Sequence, residues 1–412
     1  MIEFSEFTLE NGLQVIVHED PTVEITAFNV LYKVGSKDES EDKTGFAHLF
    51  EHLMFGGSKH IPDYDGALQL VGGENNAFTN PDITNYYITL PTANIETAFW
   101  LESDRMLSLD FNPKVLEVQR SVVIEEFKQR YLNQPYGDLW LRLRPLAYKK
   151  HPYKWATIGK EISHIEDASM EDVKDFFSKF YAPNNAILSV AGNLSTGKVK
   201  ELAHKWFADI SSGPELERPV ILEPPQVEKR FLEIKGNVPT PMLVKVFHMP
   251  GRRSVGYYAA DLLSDILGRG KSSRLYKELV KGKEIFSEIS AHVTGSKEPG
   301  LLVITGKLNK GLSLKEGEEE IDKVINNLLS KGIKSYELEK VKNKAQSTIL
   351  FGNVEILNRA MNLAYSAFLG DINLVNTEGK IIEETTKKDV MAAAGKILKE
   401  ENSSVVYYLP EK

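Results

Sequence analysis

The segment Thr44-Gly-Phe-Ala-His-Leu-Phe-Glu-His-Leu-Met-Phe55 contains the pattern His-x-x-Glu-His at residues 48–52. At about 3.6 residues per helical turn, His48 and His52 lie one above the other on one face, with Glu51 beside them. Two neutral imidazoles on one helix face suit a tetrahedral Zn²⁺ ion, and the carboxylate between them can take a proton from water. The segment therefore predicts a short zinc-binding helix.

The alternative interpretation of this segment is an ordinary amphipathic helix whose polar face carries two histidines. The chain has only nine histidines in 412 residues, so this spacing rarely arises by chance. Residues around the motif are apolar on nearly every side, which predicts a buried helix, and buried ionisable side chains need partners. Asp42 and Thr44 are the candidate N-caps, and Gly56-Gly57 is a stop signal, so one short complete helix is expected.

Composition places the chain among globular proteins. Its 412 residues suggest two or three domains, and 42% hydrophobic with 26% charged residues is typical of a soluble protein. No apolar run approaches the roughly 18 residues of a membrane span. The acidic start, Met1-Ile-Glu-Phe-Ser-Glu6, differs from a signal peptide. We therefore expect a cytoplasmic protein that does not bind membranes.

Charge and cysteine content narrow the possible chemistry. A net charge of −8 and a pI near 5.7 argue against nucleic acid as a partner, because phosphate binding needs clustered Lys and Arg. The absence of cysteine excludes disulfides, a thiolate nucleophile and cysteine-type zinc fingers. A bound metal must therefore use histidine and carboxylate ligands.

The proline-rich segment at residues 211–228 divides the chain nearly in half. It contains four prolines among polar residues, which is typical of a linker. We therefore predict a catalytic, metal-binding domain at residues 1–210 and a homologous domain at residues 229–412. The two halves resemble each other, because residues 170–190 align without gaps with residues 387–407, each as a capped helix, a turn and a strand.

A second similarity between the halves concerns the metal helix. The preceding strand and the metal helix parallel a strand at residues 242–248 and a helix at residues 257–267. In this alignment the three motif positions are occupied by Asp261, Ser264 and Asp265. The second domain is therefore predicted to bind no metal. Alternatively, two unrelated α+β halves could share such patterns by chance.

The patterns along the chain predict an α+β fold. Alternating and β-branched stretches predict strands at residues 13–18, 25–34, 83–90, 186–191, 241–248, 301–306 and 404–408. Helical periodicity predicts further helices at residues 94–108, 114–131, 136–149, 170–180, 197–209, 312–330, 336–350 and 387–399. Clusters of strands with runs of helices between them predict two homologous domains, each a mostly antiparallel sheet flanked by helices.

A catalytic zinc site needs a third protein ligand and an open fourth position. The predicted helix at residues 114–131 offers Glu125 and Glu126. Glu126 lies over two valines, whereas Glu125 has polar neighbours, so Glu126 is the inward-facing candidate. For either glutamate a solvated helix face is the alternative.

These residues are arranged as in a known family: the chain resembles the pitrilysin family of inverzincin zinc peptidases, which includes insulysin and the mitochondrial processing peptidase. In that family a glutamate farther along, with an arginine six residues before it, follows the His-x-x-Glu-His motif. Here 73 residues separate His52 from Glu126, and Arg120 is present. The resemblance also covers Gly73–Tyr86, similar to the family's Gly-x-x-Asn-Ala-x-Thr-x-x-Asp-x-Thr-x-Tyr, His151–Tyr153 and Tyr181–Asn185.

The resemblance implies a zinc endopeptidase with one Zn²⁺ per chain. The implied ligands are His48, His52 and Glu126, with Glu51 as the general base. In many relatives a glutamate stands seven residues before the third ligand, and Gln119 occupies that position here. Because an amide adds no charge, the tuning of the zinc site by Gln119 and its neighbour Arg120 is open to question.

The resemblance also implies a peptide-binding strand. Asn76 would contact the substrate near the scissile bond, and Ala77 and Phe78 would lie on an edge strand that pairs with it. Pairing through main-chain hydrogen bonds does not depend on sequence, so broad specificity for extended peptides is expected. Taken alone, Asn75-Asn76 is typical of a plain turn. The two domains are expected to face each other in dimers around a substrate-enclosing cavity.

One departure from the family lies in the second half. Relatives that act alone or as homodimers resemble one another in Ser-Ser-Arg-Leu-Phe-x-x-x-Arg-x-x-x-x-x-x-Tyr, whose later Arg and Tyr complete the site. Here Val280 and Ser287 occupy those two places. We therefore expect a heterodimer with a paralogous subunit that carries the Arg and Tyr, although a homodimer is possible. The alternative is a misaligned segment, with an Arg or Tyr from elsewhere in this chain.

Two alternative functions have less support from the sequence. The sequence Gly270-Lys271-Ser272 ends like a nucleotide-binding loop, but Asp265 stands where the first glycine should be, and a helical pattern precedes the loop. The other rival is a non-catalytic zinc-binding subunit of a related complex. Such relatives have eroded metal motifs, whereas the predicted ligands and base are all present here.

Overall fold

The computed structural model describes residues 1–411 and contains eleven β-strands. In chain order they are β1 (Ser5–Thr8), β2 (Gln14–Glu19), β3 (Ile25–Tyr32), β4 (Glu74–Thr79), β5 (Thr84–Pro91), β6 (Ala186–Gly192), β7 (Arg230–Gly236), β8 (Met242–Met249), β9 (Phe286–Val293), β10 (Gly300–Leu308) and β11 (Ser403–Pro410). All seven predicted strands are present, with ends that agree to within two residues. The strand β4 corresponds to the edge strand implied by the family resemblance, and the remaining three, β1, β7 and β9, were not predicted.

Fourteen α-helices accompany the strands in the described chain. They are α1 (Phe46–Leu53), α2 (Tyr64–Gln69), α3 (Ile95–Leu107), α4 (Pro113–Phe127), α5 (Leu139–Ala147), α6 (Ser163–Glu166), α7 (Met170–Phe180), α8 (Thr196–Phe207), α9 (Tyr257–Gly268), α10 (Leu314–Lys331), α11 (Ser335–Gly352), α12 (Ile356–Leu369), α13 (Leu374–Glu384) and α14 (Lys387–Ile397). Among residues 1–411, no helix combines the length and the hydropathy needed to cross a bilayer.

The two sheets have the same topology. The first sheet has the strand order β1-β2-β6-β3-β5-β4, and the second has the order β7-β11-β8-β10-β9. Apart from β1, each strand of the first sheet has a counterpart in the second with the same neighbours and the same direction. One pair in each sheet is parallel, and the other pairs are antiparallel. The predicted α+β class is confirmed, and the shared topology supports the predicted duplication.

The chain forms two compact units that exchange one helical segment each. Unit 1 comprises Met1–Gln129, Trp155–Ile221 and Leu350–Thr377, and unit 2 comprises the rest of the described chain. Thus Arg130–Lys154 belongs with the second sheet, although it lies in the first half of the sequence. These units differ at both segments from the predicted continuous division into residues 1–210 and 229–412 with a linker at 211–228.

Apolar packing explains the exchange. In unit 1, α12 covers β3 and β6, and its buried Leu363 and Phe368 pack in one cluster with Leu31 of the sheet. In unit 2, α5 packs on β7 and β11, and Leu143 shares a cluster with Val406. Each sheet therefore buries one apolar face under a helix contributed by the other half of the sequence.

The proline-rich segment at residues 211–228 contains no helix or strand, as the composition predicts. Its first part is tied to unit 1 by Arg218, which donates to the Asp38 carboxylate at 3.1 Å and to the Asn185 side-chain oxygen at 2.9 Å. Several aliphatic side chains beyond Arg218 are exposed to solvent.

Candidate metal centre

The metal helix α1 begins at a different residue from those predicted. Gly45 is the N-cap, with a φ of 89° that only glycine adopts easily, and neither Asp42 nor Thr44 caps the helix. The Glu39 carboxylate takes their place, since it accepts the N–H groups of Gly45 at 2.9 Å and Ala47 at 2.8 Å. Burial raises the pKa of Glu39 well above its usual range, although these N–H groups lower it. The cap comes from a loop, which explains why the local pattern missed it.

The helix α1 is buried, as predicted. Its apolar residues are Phe46, Ala47, Leu49, Phe50 and Leu53, each less than a tenth exposed. This packing leaves the two histidines on the remaining face, with ring centroids 4.9 Å apart. The local i, i+4 spacing of the motif therefore has the geometry expected from the sequence.

The third predicted ligand lies beside the two histidines. A Glu126 carboxylate oxygen is 3.7 Å from the His48 Nε2 atom and 3.4 Å from the His52 Nε2 atom. Ligand atoms bound to tetrahedral zinc at its usual bond lengths are about 3.4 Å apart, so two imidazole nitrogens and one carboxylate oxygen fit this metal in both chemistry and spacing. In the described part of the chain, these three side chains are the only group of this kind.

The neighbouring Glu125 has a different environment. Its side chain is 60% exposed and pairs with Lys128 at 2.9 Å, whereas the Glu126 side chain is only 16% exposed. The structure therefore brings Glu126, and not Glu125, to the two histidines, as the inward-facing assignment expects.

Contacts along α4 hold Glu126 in position. The helix begins with Pro113 after the N-cap Asn112, whose side chain accepts the Lys114 N–H at 2.9 Å. In its middle, Arg120 donates to the main-chain oxygen of Glu166 at 2.8 Å and also forms an ion pair with Glu117. Arg120 thus anchors α4 through neighbouring residues and not through the metal ligands.

Two further features of α4 bear on the site. A π-helical turn follows directly after Phe127, at Lys128–Leu132, and such turns are frequent at functional sites. Gln119 is half-buried. Its influence on a bound metal stays a prediction.

The predicted base, Glu51, is half-buried between the two histidines on α1. The negative charge of Glu51 affects the pKa values of two buried tyrosines. Burial raises the pKa of Tyr86 well above its usual range, and the negative charge of Glu51 raises it further. The same two causes raise the pKa of Tyr181. Both phenols therefore stay protonated at neutral pH. The role of Glu51 as the general base stays a prediction.

The predicted peptide-binding strand is β4, the outer strand of the first sheet. It pairs with β5 and contacts α1. The side chains of Asn76 and Phe78 are exposed, and Ala77 is half-buried opposite Tyr86 of β5. The edge-strand prediction for Ala77 and Phe78 is therefore confirmed, whereas their contact with a substrate stays a prediction.

The counterpart of the metal site in unit 2 carries two acidic residues on α9. Burial, and then the charge of Asp265, raise the pKa of Asp261 to about 6. Burial also raises the pKa of Asp265, although Arg269 lowers it. Two neighbouring carboxylates without imidazoles are a poor zinc site, which agrees with a copy that does not bind metal.

Replacement of Asp261 by Asn is expected to stabilise the protein above neutral pH. Because the folded pKa, about 6, exceeds the usual value of 3.8, the stability that protonated Asp261 provides is lost as pH rises through that interval. We therefore expect the free energy of unfolding of Asp261→Asn to exceed that of the parent by about 1 to 3 kcal/mol at pH 8, and to match it near pH 4. Urea denaturation at both pH values measures this difference.

The matched control for this experiment is Glu319→Gln, which alters an exposed carboxylate in the same unit. It should change the free energy of unfolding by less than about 0.5 kcal/mol at either pH. An Asp261→Asn effect of equal size at pH 4 and pH 8 would contradict the titration.

The fold and the donor set define a class: two α+β units of like sheet topology, one of which carries a His-His-Glu group that could hold a metal ion. The family model described as Insulinase (Peptidase family M16) matches residues 14–158, and the model described as Peptidase M16 inactive domain matches residues 167–345. The chain belongs to peptidase family M16. The resemblance to pitrilysin-like peptidases is thereby confirmed.

Individual relatives agree with this family. The chain is 31% identical over 411 residues to a protein named zinc protease PqqE from Helicobacter pylori, which covers 98% of this chain and 92% of that protein. It is 25% identical over 358 residues to the uncharacterized zinc protease YmxG from Bacillus subtilis, with 86% of each chain covered. These names indicate a zinc-dependent peptidase class.

Solved structures show the same fold. The structure described as a protease from Helicobacter pylori superimposes with a TM-score of 0.94 at 29% identity and covers all of both chains. Pitrilysin superimposes with a TM-score of 0.77 at 18% identity, and the match covers all of this chain but 45% of pitrilysin. The likeness to pitrilysin supports the fold alone.

Proposed function

We propose that this chain is a zinc-dependent endopeptidase whose active site consists of His48, His52, Glu126 and Glu51. The single observation that supports the proposal most is the convergence of a carboxylate oxygen from α4 on both histidines of α1, at 3.4 and 3.7 Å. In an ordinary helix pair, a carboxylate separated from His52 by 73 residues of sequence would have no reason to lie there. The names of the relatives agree with this activity.

The residues divide the chemistry among them. His48, His52 and Glu126 would hold the ion, and when bound it lowers the pKa of water toward 7 and polarises the scissile carbonyl. Glu51 accepts the proton of the attacking water and passes it to the leaving amine, which requires an unprotonated carboxylate at the start of the reaction. The buried face of α1 keeps the imidazoles and Glu51 in a fixed orientation, so little reorganisation is needed.

The proposed substrate is a short or unfolded peptide bound in an extended conformation along β4. The Ala77 N–H donates to the Asn76 side-chain oxygen at 2.8 Å, so we infer that this N–H faces the open side of the strand. An added peptide strand could replace that side-chain acceptor with a main-chain carbonyl. Because such main-chain hydrogen bonds do not depend on the peptide's side chains, peptides of many different sequences are expected to bind. The enclosing cavity stays a prediction from family resemblance.

Replacement of Ala77 by Pro tests this binding mode, because it removes the outward N–H and proline is tolerated on edge strands. We expect kcat/KM to fall about tenfold or more for peptides of unrelated sequence. The control is Ala77→Val, which keeps the N–H and adds a side chain of similar bulk. Equal kcat/KM for the proline variant and the parent in a fluorogenic peptide assay would argue against strand addition.

We further propose that the active enzyme is a heterodimer whose second subunit contributes an Arg and a Tyr. Val280 is half-buried and packs against the apolar core of unit 2, and the Ser287 hydroxyl donates to the main-chain oxygen of Lys307 at 3.1 Å. Neither side chain can supply a strong donor to a developing oxyanion, and loss of one such donor costs on the order of 10² to 10³ in rate.

The test of the whole proposal is a fluorogenic peptide assay on three samples: this chain alone, a paralogous chain with Arg and Tyr at the two positions, and their mixture. We expect the zinc-loaded mixture to cleave at least about 100-fold faster than either chain. Chelation should abolish the activity, and zinc should restore it. Full activity of this chain alone would overturn the heterodimer proposal but not the peptidase proposal.

The second candidate function is a zinc-binding structural subunit. The absence of Arg and Tyr at the positions of Val280 and Ser287 favours it. A chain that binds zinc with high affinity, yet remains inactive alone and in the mixture, would support this role in place of catalysis.

A further inference from the structure

Arg105 has one of the largest fully buried side chains among residues 1–411, and no catalytic role above uses it. It lies on α3 and is 1% exposed. Its Nε and Nη2 atoms donate to the two carboxylate oxygens of Glu102 at 2.9 and 2.5 Å, and Glu102 is equally buried. The Tyr64 hydroxyl donates to the same carboxylate at 2.6 Å. This is a planar, bidentate ion pair enclosed in the interior of unit 1.

Aromatic rings enclose the rest of the guanidinium group. Its central carbon lies 4.3 Å from the ring centroid of Tyr86, 4.8 Å from that of Tyr64 and 5.5 Å from that of Phe55. The Nη1 atom is buried without a hydrogen-bond partner among residues 1–411, so the ring faces supply its remaining contacts. We call Arg105, Glu102, Tyr64, Tyr86 and Phe55 the arginine cage.

Two members of the arginine cage, Tyr86 and Phe55, connect it to the metal helix α1. The Tyr86 hydroxyl donates to the main-chain oxygen of Phe50 at 3.3 Å, within α1 and next to Glu51. Phe55 follows the last turn of α1, three residues after His52, and its ring packs 6.0 Å from that of Tyr86. The cage thus contacts α1 at the turn that carries the base and again just after the second ligand.

Burial of the charged Arg105–Glu102 pair costs desolvation free energy, which a purely structural element could avoid with apolar side chains. Burial of an ion pair is often no better for stability than an apolar replacement of the same volume. The pair does, however, fix the orientation of a flat guanidinium against three rings, which an apolar residue could not do. Such precision is useful where a ligand helix must hold its imidazoles at a set distance from a third ligand on another helix.

We propose that Arg105 is a positioning residue for the metal centre, acting through Tyr86 and Phe55 on the helix that carries His48, Glu51 and His52. The catalytic part of this inference rests on the proposed peptidase function, whereas its zinc-binding part does not. The hydrogen-bond, ion-pair and ring partners of Arg105 in the described chain are Glu102, Tyr64, Tyr86 and Phe55, none of which is a predicted metal ligand. Its effect is to reduce the number of orientations that α1 can adopt before zinc binds.

The first test variant is Arg105→Lys, which keeps the charge but loses the bidentate fork and the flat stacking surface. We expect its zinc dissociation constant, measured by competition with a chelator well below the melting temperature, to rise about 10- to 100-fold. In the zinc-saturated enzyme we expect kcat to fall about tenfold, with KM within about twofold of the parent. A folded Arg105→Lys variant with unchanged zinc affinity and kcat would overturn the proposal.

The second test variant is Tyr86→Phe, which keeps every ring of the cage and removes only the hydroxyl that reaches Phe50. It should fold even if Arg105→Lys does not, and its zinc dissociation constant should rise about three- to tenfold, roughly one lost hydrogen bond. Unchanged zinc affinity in this variant would break the link between the cage and α1, and would overturn the proposal.

The matched control is Lys245→Met, which breaks the buried ion pair with Glu318 in unit 2 at 3.0 Å. Its melting temperature should fall while the zinc affinity of the folded protein stays that of the parent, which separates a loss of stability from a loss of positioning. An equal loss of zinc affinity in this control would mean that any buried ion pair affects the site. If the parent proves inactive on peptides, the zinc dissociation constants still decide the inference, so the two proposals fail separately.

Discussion

Glu51→Gln is expected to bind zinc like the parent protein and to lose at least about 10³-fold in kcat, the largest effect of any substitution considered. The amide keeps the shape and the hydrogen-bonding capacity of the side chain but cannot accept a proton from the attacking water. The ligands His48, His52 and Glu126 are unchanged, so metal affinity should be preserved. Single-turnover cleavage of a fluorogenic peptide measures the loss, and chelator competition measures the zinc affinity.

A second substitution at the same position sharpens this test. Glu51→Asp keeps a carboxylate but withdraws it by one methylene, so its rate should lie between those of the parent and Glu51→Gln. Tyr86 and Tyr181 are titratable side chains near Glu51. Their raised pKa values keep both phenols protonated at neutral pH, so neither can act as the base. Substantial turnover by Glu51→Gln would therefore refute the assigned base.

Glu126→Gln should lose zinc affinity by more than about 100-fold, and activity with it. The neutral amide replaces one of three ligands, and even residues that only support ligands cost 10- to about 100-fold when removed. The chain supplies a closely matched control, because Glu125 is adjacent on the same helix, exposed, and paired with Lys128. Glu125→Gln should leave both zinc affinity and kcat/KM within about twofold of the parent.

The comparison between these two variants decides the third ligand. If Glu125→Gln lost zinc and Glu126→Gln kept it, the ligand assignment would be wrong, whatever the activity. If neither lost zinc, the two histidines would have to be completed by a ligand outside this group. Within residues 1–411 the structure offers no other cluster of three such side chains.

Strands were predictable where a run of apolar and β-branched residues is buried in the middle of a sheet. Each strand predicted from its pattern lies in one of the two sheets, and most are central strands with nearly continuous burial. The missed strands β1, β7 and β9 all lie at sheet edges and carry polar and charged residues. The strand β7 nevertheless alternates strictly in burial, so its period of two was present in the sequence and was overlooked.

The helix α12 was also missed, although its sequence carries a helical period. Its polar residues Asn358, Arg359 and Asn362 recur at helical spacing between apolar ones. Nearly every one of its residues is at least half-buried, and Asn362 is its only exposed position. Its burial depends on the sheet of the other half, which nothing in its own sequence indicates.

The sequence by itself determined the local part of the active site and the identity of the family. The i, i+4 spacing places His48 and His52 on one helix face through backbone geometry alone, and the motif spacing to Glu126 carries the family resemblance. Only the tertiary structure decided that Glu126 lies 3.4 Å from His52, that Glu39 caps the metal helix, and that Tyr86, which packs on Arg105, donates to the main chain of that helix. These contacts join residues far apart in sequence, and their energies depend on burial and packing that no local pattern encodes.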